Sequence, residues 1–563
     1  MSKLDPGTYQ VITSSFSSIV EEMQSSLFRT GFSTAVRESH DASSAILTSD
    51  GQLMGQYALI PTHMGAFPAC VAAVLARFPQ NEIRLEDNFV LNDPYLGGCA
   101  HSADVAVLTP AFHRGELVGF CATMAHKADL GSISPGGGAS QAKDVFQEGL
   151  LLPPVRWGPD IEDVLRRNSR TPDLVVGDLR GQIGANRIGV DRFVALCERW
   201  GSETIRDATY ELFDKTEART RNALLGWPDG TYRAEGYMDD DGQGSEPVHL
   251  ALELTKKGDQ IRFDFSASDN QTNGPVNIRP SLVRACCYYG LVACIDPDLP
   301  NNAGLARVVE TRFSTHSVLN PDFPAPVNVY VYTLSLAAEL VLSALGQMAP
   351  ERRIACSGTG GGLTFAYPKE GGTIVHYELL GAGGGARQGL DGASGIHTHI
   401  INCRTAPIEI IESEFPVRVR RFELRIDSGG AGQFRGGLGY DREYEILAPE
   451  AVLSTRGDHH VFAPWGVDGG QDGAPGRFVV NPRVDKEEVL QARTGGVKLH
   501  RGDVFLVQTP GGGGLGDPQK RDPKALLPDI ANGYVSADAV LRDYGLVLEE
   551  ENLLSISSMT RGK

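Results

Sequence analysis

A chain of 563 residues, 41% hydrophobic and 22% charged, has the makings of several packed domains with sizeable cores. Its formal net charge of -18, with no local basic stripe to offset it, excludes a broad electrostatic surface for nucleic acid or anionic membranes. Nine cysteines lie scattered without C-x-x-C spacing and the opening MSKLDPGTYQ lacks the apolar stretch of a secretory signal, so reduced thiols in a cytoplasmic protein are expected.

Asp5-Pro6 reads as an N-cap followed by proline at the first helical position. Ile12, Phe16, Ile19, Val20, Met23 and Leu27 then recur at helical spacing, up to a stop at Gly31. A polar cluster from Arg37 to Ser44 leads into a predicted hairpin over 41–56 that turns at Ser49-Asp50-Gly51. Asp41 could join a site assembled from elsewhere in the fold, although its local sequence fits an exposed loop aspartate equally well. His63, between Pro61-Thr62 and Met64-Gly65, is read as a structural histidine in the loop before a helix over 66–78.

Residues 92–131 carry the densest chemistry. Asn92-Asp93-Pro94 and Gly97-Gly98 make a loop, followed by His101 and Asp104. Val105 to Leu108 and Leu117 to Met124 are strand-like runs separated by a turn at His113-Arg114-Gly115, and His126 and Asp129 repeat the H-x-x-D spacing after the second run. Two such pairs at the ends of paired strands can face one another. Imidazole with carboxylate suits a borderline divalent ion, with Zn, Mn and Fe as candidates, and three protein ligands leave one position open. The same residues could equally be satisfied by hydrogen bonds within the fold. Beyond them lie a flexible SISPGGG turn over 132–138 and Glu148, a carboxylate in apolar surroundings and a candidate partner for a ligand histidine.

From about 160 to 225 the pattern is helical, closing at a turn through Trp227-Pro228-Asp229-Gly230. Strands are predicted over 231–266, with Asp239-Asp240-Asp241-Gly242 as a solvated turn between them; it lacks the spacing of a calcium loop. Helices follow near 279–295 and 330–346. The apolar run Leu334 to Leu345 is too short to span a bilayer and is interrupted by Glu339. The last third alternates short strands with glycine clusters at 358–362, 381–385, 429–439 and 511–516. Such loops could approach a phosphate, but no G-x-x-x-x-G-K-[ST] occurs, so this chain is not expected to bind a nucleotide alone. A short helical tail over 524–545 with Ser536 as an N-cap, then disorder, is expected at the end. The fold class is therefore α+β: a large multi-domain chain with a helical and hairpin-containing N-terminal region and a Gly-rich, β-rich C-terminal region. Its expected divisions are 1–227, 228–348, 349–523 and 524–563.

The chain resembles the hydantoinase B family, which takes in the B-type subunits of ATP-dependent hydantoinases and caprolactamases, the C-terminal half of 5-oxoprolinase and a subunit of ketone carboxylases. The resemblance rests on ESHDASSAI (38–46), NDPYLGGCAHSADV (92–105), AHKADLG (125–131), EGLLLPP (148–154), PDGTY (228–232), GPVN (274–277) and NNAG (301–304). RGGLG (435–439), PWG (464–466) and TPGGGGLGDP (509–518) complete it in family order, with Gly131-Ser132 where the family often has two glycines. It implies one divalent metal ion, Zn first with Mn or Fe as alternatives, held by His101, Asp104 and His126. Asp41 becomes a fourth ligand or neighbouring base, and Asp129 a support rather than a ligand. It also implies a hydantoinase A type ATPase subunit as partner, in an α2β2 heterotetramer, which uses ATP to phosphorylate a cyclic amide that this chain then opens by hydrolysis. Two other functions stay open: a subunit of an ATP-dependent ketone carboxylase, and a non-catalytic scaffold for the ATPase subunit.

Overall fold

The computed structural model of the protein describes residues 4–548 apart from 58 and 245, together with 559–561. Helix Pro6–Thr30 starts as its sequence dictates: the Asp5 side chain accepts the Thr8 N–H, Pro6 fills the first turn, and Ile12, Phe16, Ile19, Val20, Met23 and Leu27 are all buried. It packs with helices Pro172–Trp200 and Ser202–Leu225 on one face of a six-stranded antiparallel sheet. That sheet contains β1 (Ala42–Thr48), β2 (Leu53–Gln56), β3 (Phe89–Leu91), β4 (Asp104–His113), β5 (Glu116–His126) and β6 (Val155–Arg156), in the order β2-β1-β5-β4-β3-β6. Both hairpins predicted from the turn signals are present, one closed at Gly51 and the other at Arg114-Gly115, each of these three residues having positive φ. Strands covered on both faces read as unbroken apolar runs, which explains the composition of Val105–Leu108.

The opposite face of this sheet meets helix His63–Arg77. That helix packs on Pro280–Ile295, which packs on Tyr330–Met348, which in turn lies across β7 (Gly230–Met238) and β8 (Val248–Lys257). β9 (Gln260–Asp264) and β10 (Val309–Arg312) complete this second sheet, order β10-β9-β8-β7, with the β10–β9 pair parallel. One continuous apolar cluster runs through these layers. The apolar run around Leu334 lies within helix Tyr330–Met348, close to the expected 330–346. At 19 residues and a mean hydropathy of 1.3, Tyr330–Met348 is, among the described residues, the one helix long and apolar enough to cross a membrane, but 83% of its apolar stretch is buried inside the protein.

Asp239 and Asp240, expected in a solvated turn, are instead buried. Asp239 accepts the N–H groups of His460, Val461 and Phe462, and Asp240 pairs with Arg493. The sequence of the turn could not show this, because its partners arrive more than 200 residues later.

The last third forms two sheets packed face to face. One contains β11 (Gly362–Lys369), β12 (Gly372–Leu379), β15 (Glu450–Arg456) and β18 (Thr494–His500). The other contains β13 (Val417–Leu424), β14 (Tyr440–Ile446), β16 (Arg477–Val480), β17 (Glu488–Leu490) and β19 (Val504–Gln508). Phe365, Leu453, Tyr444, Phe478 and Phe505 fill the space between them. The glycine clusters serve close backbone packing: Gly512 N–H donates to Gly437 C=O, Gly437 N–H to Gly384 C=O and Gly430 N–H to Gly512 C=O. A Cβ on Gly512 would stand 2.1 Å from the Gly384 carbonyl oxygen, so the segments can lie this close only without side chains. The tail follows as expected, with Ser536 capping helix Ala537–Tyr544 and Asp529 bridging Arg435 and Arg521. Its end pairs Leu546–Leu548 with Met559–Arg561; the disorder expected at the very end concerns residues largely outside those described.

Candidate metal centre

Three neighbouring strands put three polar residues in one row. Asp104 and His126 are direct partners across β4 and β5, so their side chains share a face. Ala42 pairs with Ala125 across β1 and β5, and the His126 N–H donates to the Asp41 C=O, which continues that ladder by one residue and sets Asp41 opposite His126. The face they share also carries Ala45, Ala106 and Met124, against which helix His63–Arg77 packs. The pairing of Asp104 with His126 depends on one irregularity. The register steps between Ala111 and Phe112, leaving Val118 without a partner.

His101 reaches the row from the preceding loop. Its Nδ1 donates to the Asn328 carbonyl at 3.0 Å, which turns Nε2 toward Asp104 Oδ1 at 3.2 Å. Glu148 acts behind this contact: its Oε1 accepts the N–H groups of Val327 and Asn328, both at 2.6 Å, and its backbone carbonyl accepts Ser102 Oγ–H. It therefore positions His101 through the backbone at Asn328 and not by touching the ring. Burial pushes the Glu148 carboxyl well up, and the two amides only partly oppose this. Asp129, buried and removed from the row, accepts the N–H groups of Gly131, Gly136 and Arg170 and pairs with the Arg170 guanidinium at 3.0 Å. It holds the loop after β5.

His63 departs from expectation. It opens the helix at the buried end of the row, with Nδ1 hydrogen-bonded to Ser43 Oγ and Nε2 3.9 Å from Asp104 Oδ2. Only the sheet order reveals this, since Ser43 follows Asp41 on the same strand face. The cavity over the row is closed by Tyr330, Tyr332 and Ser335 from the long buried helix and by Thr359–Gly362, Tyr377, His397 and Arg456 from the last third. Tyr377 stacks on His126 with ring centroids 4.6 Å apart, and Tyr330 meets His101 edge-on at 5.1 Å.

One ligand atom from each of His101, Asp104 and His126 lies within 4.8 Å of the others, all buried. His126 Nε2 is buried without a hydrogen-bond partner. Burial alone would raise Asp104, but the histidines around it, His101 foremost, hold its carboxyl well below the usual range. Asp41, outside the 4.8 Å group, is pushed up by desolvation and by the charge of Asp104, against the pull of the histidines, and it accepts a hydrogen bond from the Cys403 thiol. Imidazole and carboxylate groups converging at this distance, with one imidazole nitrogen orphaned, are a donor set that fits a borderline divalent cation.

A layered α+β chain with a buried histidine–aspartate centre between its first sheet and its last third defines the class. Residues 5–518 match the model for hydantoinase B/oxoprolinase. The chain is 31% identical over 573 residues to a putative B-type subunit of a D-/L-hydantoinase from Pseudomonas sp., covering 98% of this chain and 96% of that one. It is 30% identical over 570 residues to the β-type subunit of the caprolactamase of Pseudomonas jessenii, covering 98% and 97%. A chain in the crystal structure of the ATP-dependent caprolactamase from Pseudomonas jessenii superposes with a TM-score of 0.92 over 99% of both chains at 29% identity. An acetone carboxylase shares the fold, at a TM-score of 0.90 and 21% identity over 99% of this chain and 81% of that one. The chain belongs to the hydantoinase B/oxoprolinase family.

Proposed function

We propose that this chain is the metal-holding, ring-opening subunit of an ATP-dependent hydrolase of cyclic amides such as lactams and hydantoins. It works in the cytoplasm with a hydantoinase A type ATPase subunit, as an α2β2 heterotetramer. The observation that carries this reading is the buried set His101, Asp104 and His126, which converges imidazole and carboxylate groups and leaves one imidazole nitrogen without a partner. The sequence has no G-x-x-x-x-G-K-[ST] loop, which is consistent with phosphoryl transfer by the partner.

The partner moves the γ-phosphoryl group of ATP onto the ring carbonyl oxygen, which makes the carbon electrophilic. Water adds to that carbon, the ring C–N bond breaks with its electron pair on nitrogen, and the nitrogen leaves protonated. A second water releases phosphate, so each ring opened consumes one ATP and two waters. One divalent ion held by His101, Asp104 and His126, with Asp41 as fourth ligand or neighbouring base, would supply Lewis acidity and lower the pKa of water; Zn is the first candidate, with Mn or Fe as alternatives. Asp41, raised by desolvation, takes a proton from the attacking water on its carboxylate and returns it to the ring nitrogen. Tyr330, Tyr332 and Tyr377 are buried around the cavity and keep bulk water from the activated carbon.

The test is paired on one preparation of the complex: phosphate release and open-chain product, with a lactam or hydantoin as substrate. Replacing Asp41, His101 or His126 should stop ring opening while ATP turnover by the partner continues, and elemental analysis should lose the ion with His101→Ala. Wild-type rates of ring opening in these variants would leave the chain a scaffold. Bicarbonate-dependent loss of a ketone, with no ring opening, would turn the reading to a carboxylase, the second reading that the shared fold with acetone carboxylase supports.

A further inference from the structure

Among the described residues five arginines are buried: Arg435, Arg442, Arg456, Arg493 and Arg521. Four of them have carboxylates. Arg435 and Arg521 share Asp529, Arg442 meets Glu378 at 3.1 Å, and Arg493 meets Asp240 at 3.3 Å and Asp458 at 3.2 Å. Arg456, 5% exposed, has no carboxylate within ion-pair distance among the described residues, and its Nη2 lacks any hydrogen-bond partner. An uncompensated buried charge is strongly unfavourable, and a fold that balances its other four in this way leaves the fifth open for a counter-charge from outside.

The place of that guanidinium identifies the counter-charge. Arg456 ends β15, pairs with Gly362 on β11, and lines the same cavity as Asp41, His101, Asp104 and His126, where it is the only arginine or lysine among the described lining residues. Its Cζ lies 5.2 Å from the centre of the Tyr377 ring, the ring that stacks on His126. Glycine at 362 makes room for it, because a Cβ there would stand 3.2 Å from Arg456 Nε and 3.3 Å from Nη2. A planar fork of donors one aromatic ring away from His126 matches an oxyanion on a substrate carbon held at the row.

We infer that Arg456 grips the phosphoryl oxygens of the activated ring, orienting its carbon toward His101, Asp104 and His126. This rests on the proposed activation of the ring by phosphorylation. The phosphoryl group is the anion that such a reaction sets on the oxygen of the reacting carbon, whereas a ring carboxylate would depend on the particular substrate.

The probe is inorganic phosphate, titrated calorimetrically into the full-length chain, with acetate as the carboxylate arm and metal content measured on every sample. Arg456→Met should weaken phosphate binding about tenfold to a hundredfold, and Arg456→Lys less, with metal content unchanged. Gly362→Ala, which displaces the guanidinium while leaving Arg456 in place, should weaken phosphate binding in the same direction and decides the matter if Arg456→Met fails to fold. Phosphate affinity changed less than twofold in the folded variants, no measurable binding by the wild type, or an Arg456-dependent site for acetate alone would each overturn the assignment. Absence of ring opening by the wild-type complex would instead count against the hydrolase reading, and the titration stands apart from that result.

Discussion

Asp104 and Asp458 are both deeply buried carboxylates, and the protein neutralises them differently. Asp458 has Arg493 at 3.2 Å and the Asp239 N–H at 3.0 Å, and Arg493 also serves Asp240. Every charge in that cluster meets a fixed opposite charge or an amide, and it clasps the second sheet to the last third. Among the described residues Asp104 has only imidazoles as ion-pair partners: His101 at 3.2 Å, His126 at 3.3 Å and His63 at 3.9 Å. An arginine cannot give up its proton, so the first cluster is closed to other cations. Histidines can, so the second cluster is able to offer nitrogen lone pairs to an incoming ion. A buried acid therefore marks a structural clasp or a candidate centre according to the kind of base that surrounds it.

The sharpest way to break this contrast is His126→Ala. Loss of the nitrogen that has no internal partner should lower ring opening about a thousandfold or more while the thermal midpoint stays near that of the ion-free wild type. A collapse of the fold would place His126 with the clasp residues instead. Arg493→Met is the mirror experiment: it strands Asp240 and Asp458, and should cost about 3–5 kcal/mol in denaturant unfolding. Unchanged stability there would remove the distinction. Glu148 sharpens it further. Glu148→Gln keeps an acceptor for the Val327 and Asn328 amides and should hold metal and activity, whereas Glu148→Ala should weaken the ion about tenfold to a hundredfold through His101. Because burial raises the Glu148 pKa, ionisation opposes folding as pH rises, so Glu148→Gln should flatten the loss of stability that sets in as pH rises above about 4.5. A separate effect is at acid pH. His397 and His460 are each lowered from 6.5 to about 4, chiefly by burial. As pH falls from about 6.5 the unfolded imidazoles take protons that the folded ones refuse, so stability declines until about pH 4 and then levels. His460→Asn should make the acid limb of an unfolding-against-pH profile shallower.

Much of the row was legible in the chain. The apolar runs and the turn at Arg114-Gly115 give the β4–β5 hairpin, and the two H-x-x-D spacings point to its end. Resemblance, rather than local pattern, drew in Asp41, because an aspartate at the mouth of a hairpin looks like any loop residue until β1 is known to lie beside β5. His63 and Arg456 escaped for the same reason. Each sits at the end of an ordinary element, and the contacts that matter come from strand order and from residues hundreds of positions away. The glycine clusters suggested ligand loops, since composition records the absence of side chains but not which backbone moves into the space.

The unpartnered Val118 has a consequence for which changes in chain length the hairpin can accept. Had the ladder run unbroken from the turn, Asp104 would face Ala125 and His126 would point through the other side of the sheet. The odd residue restores the parity of the count. Deleting Val118 alone, with the ladder straightened, keeps Asp104 opposite His126. A deletion anywhere in 122–125 must either turn His126 away or invert the stretch between it and the bulge, sending buried side chains to the wrong face. An insertion there requires a second bulge. The bulge is therefore where this strand can lose a residue and still keep Asp104 opposite His126.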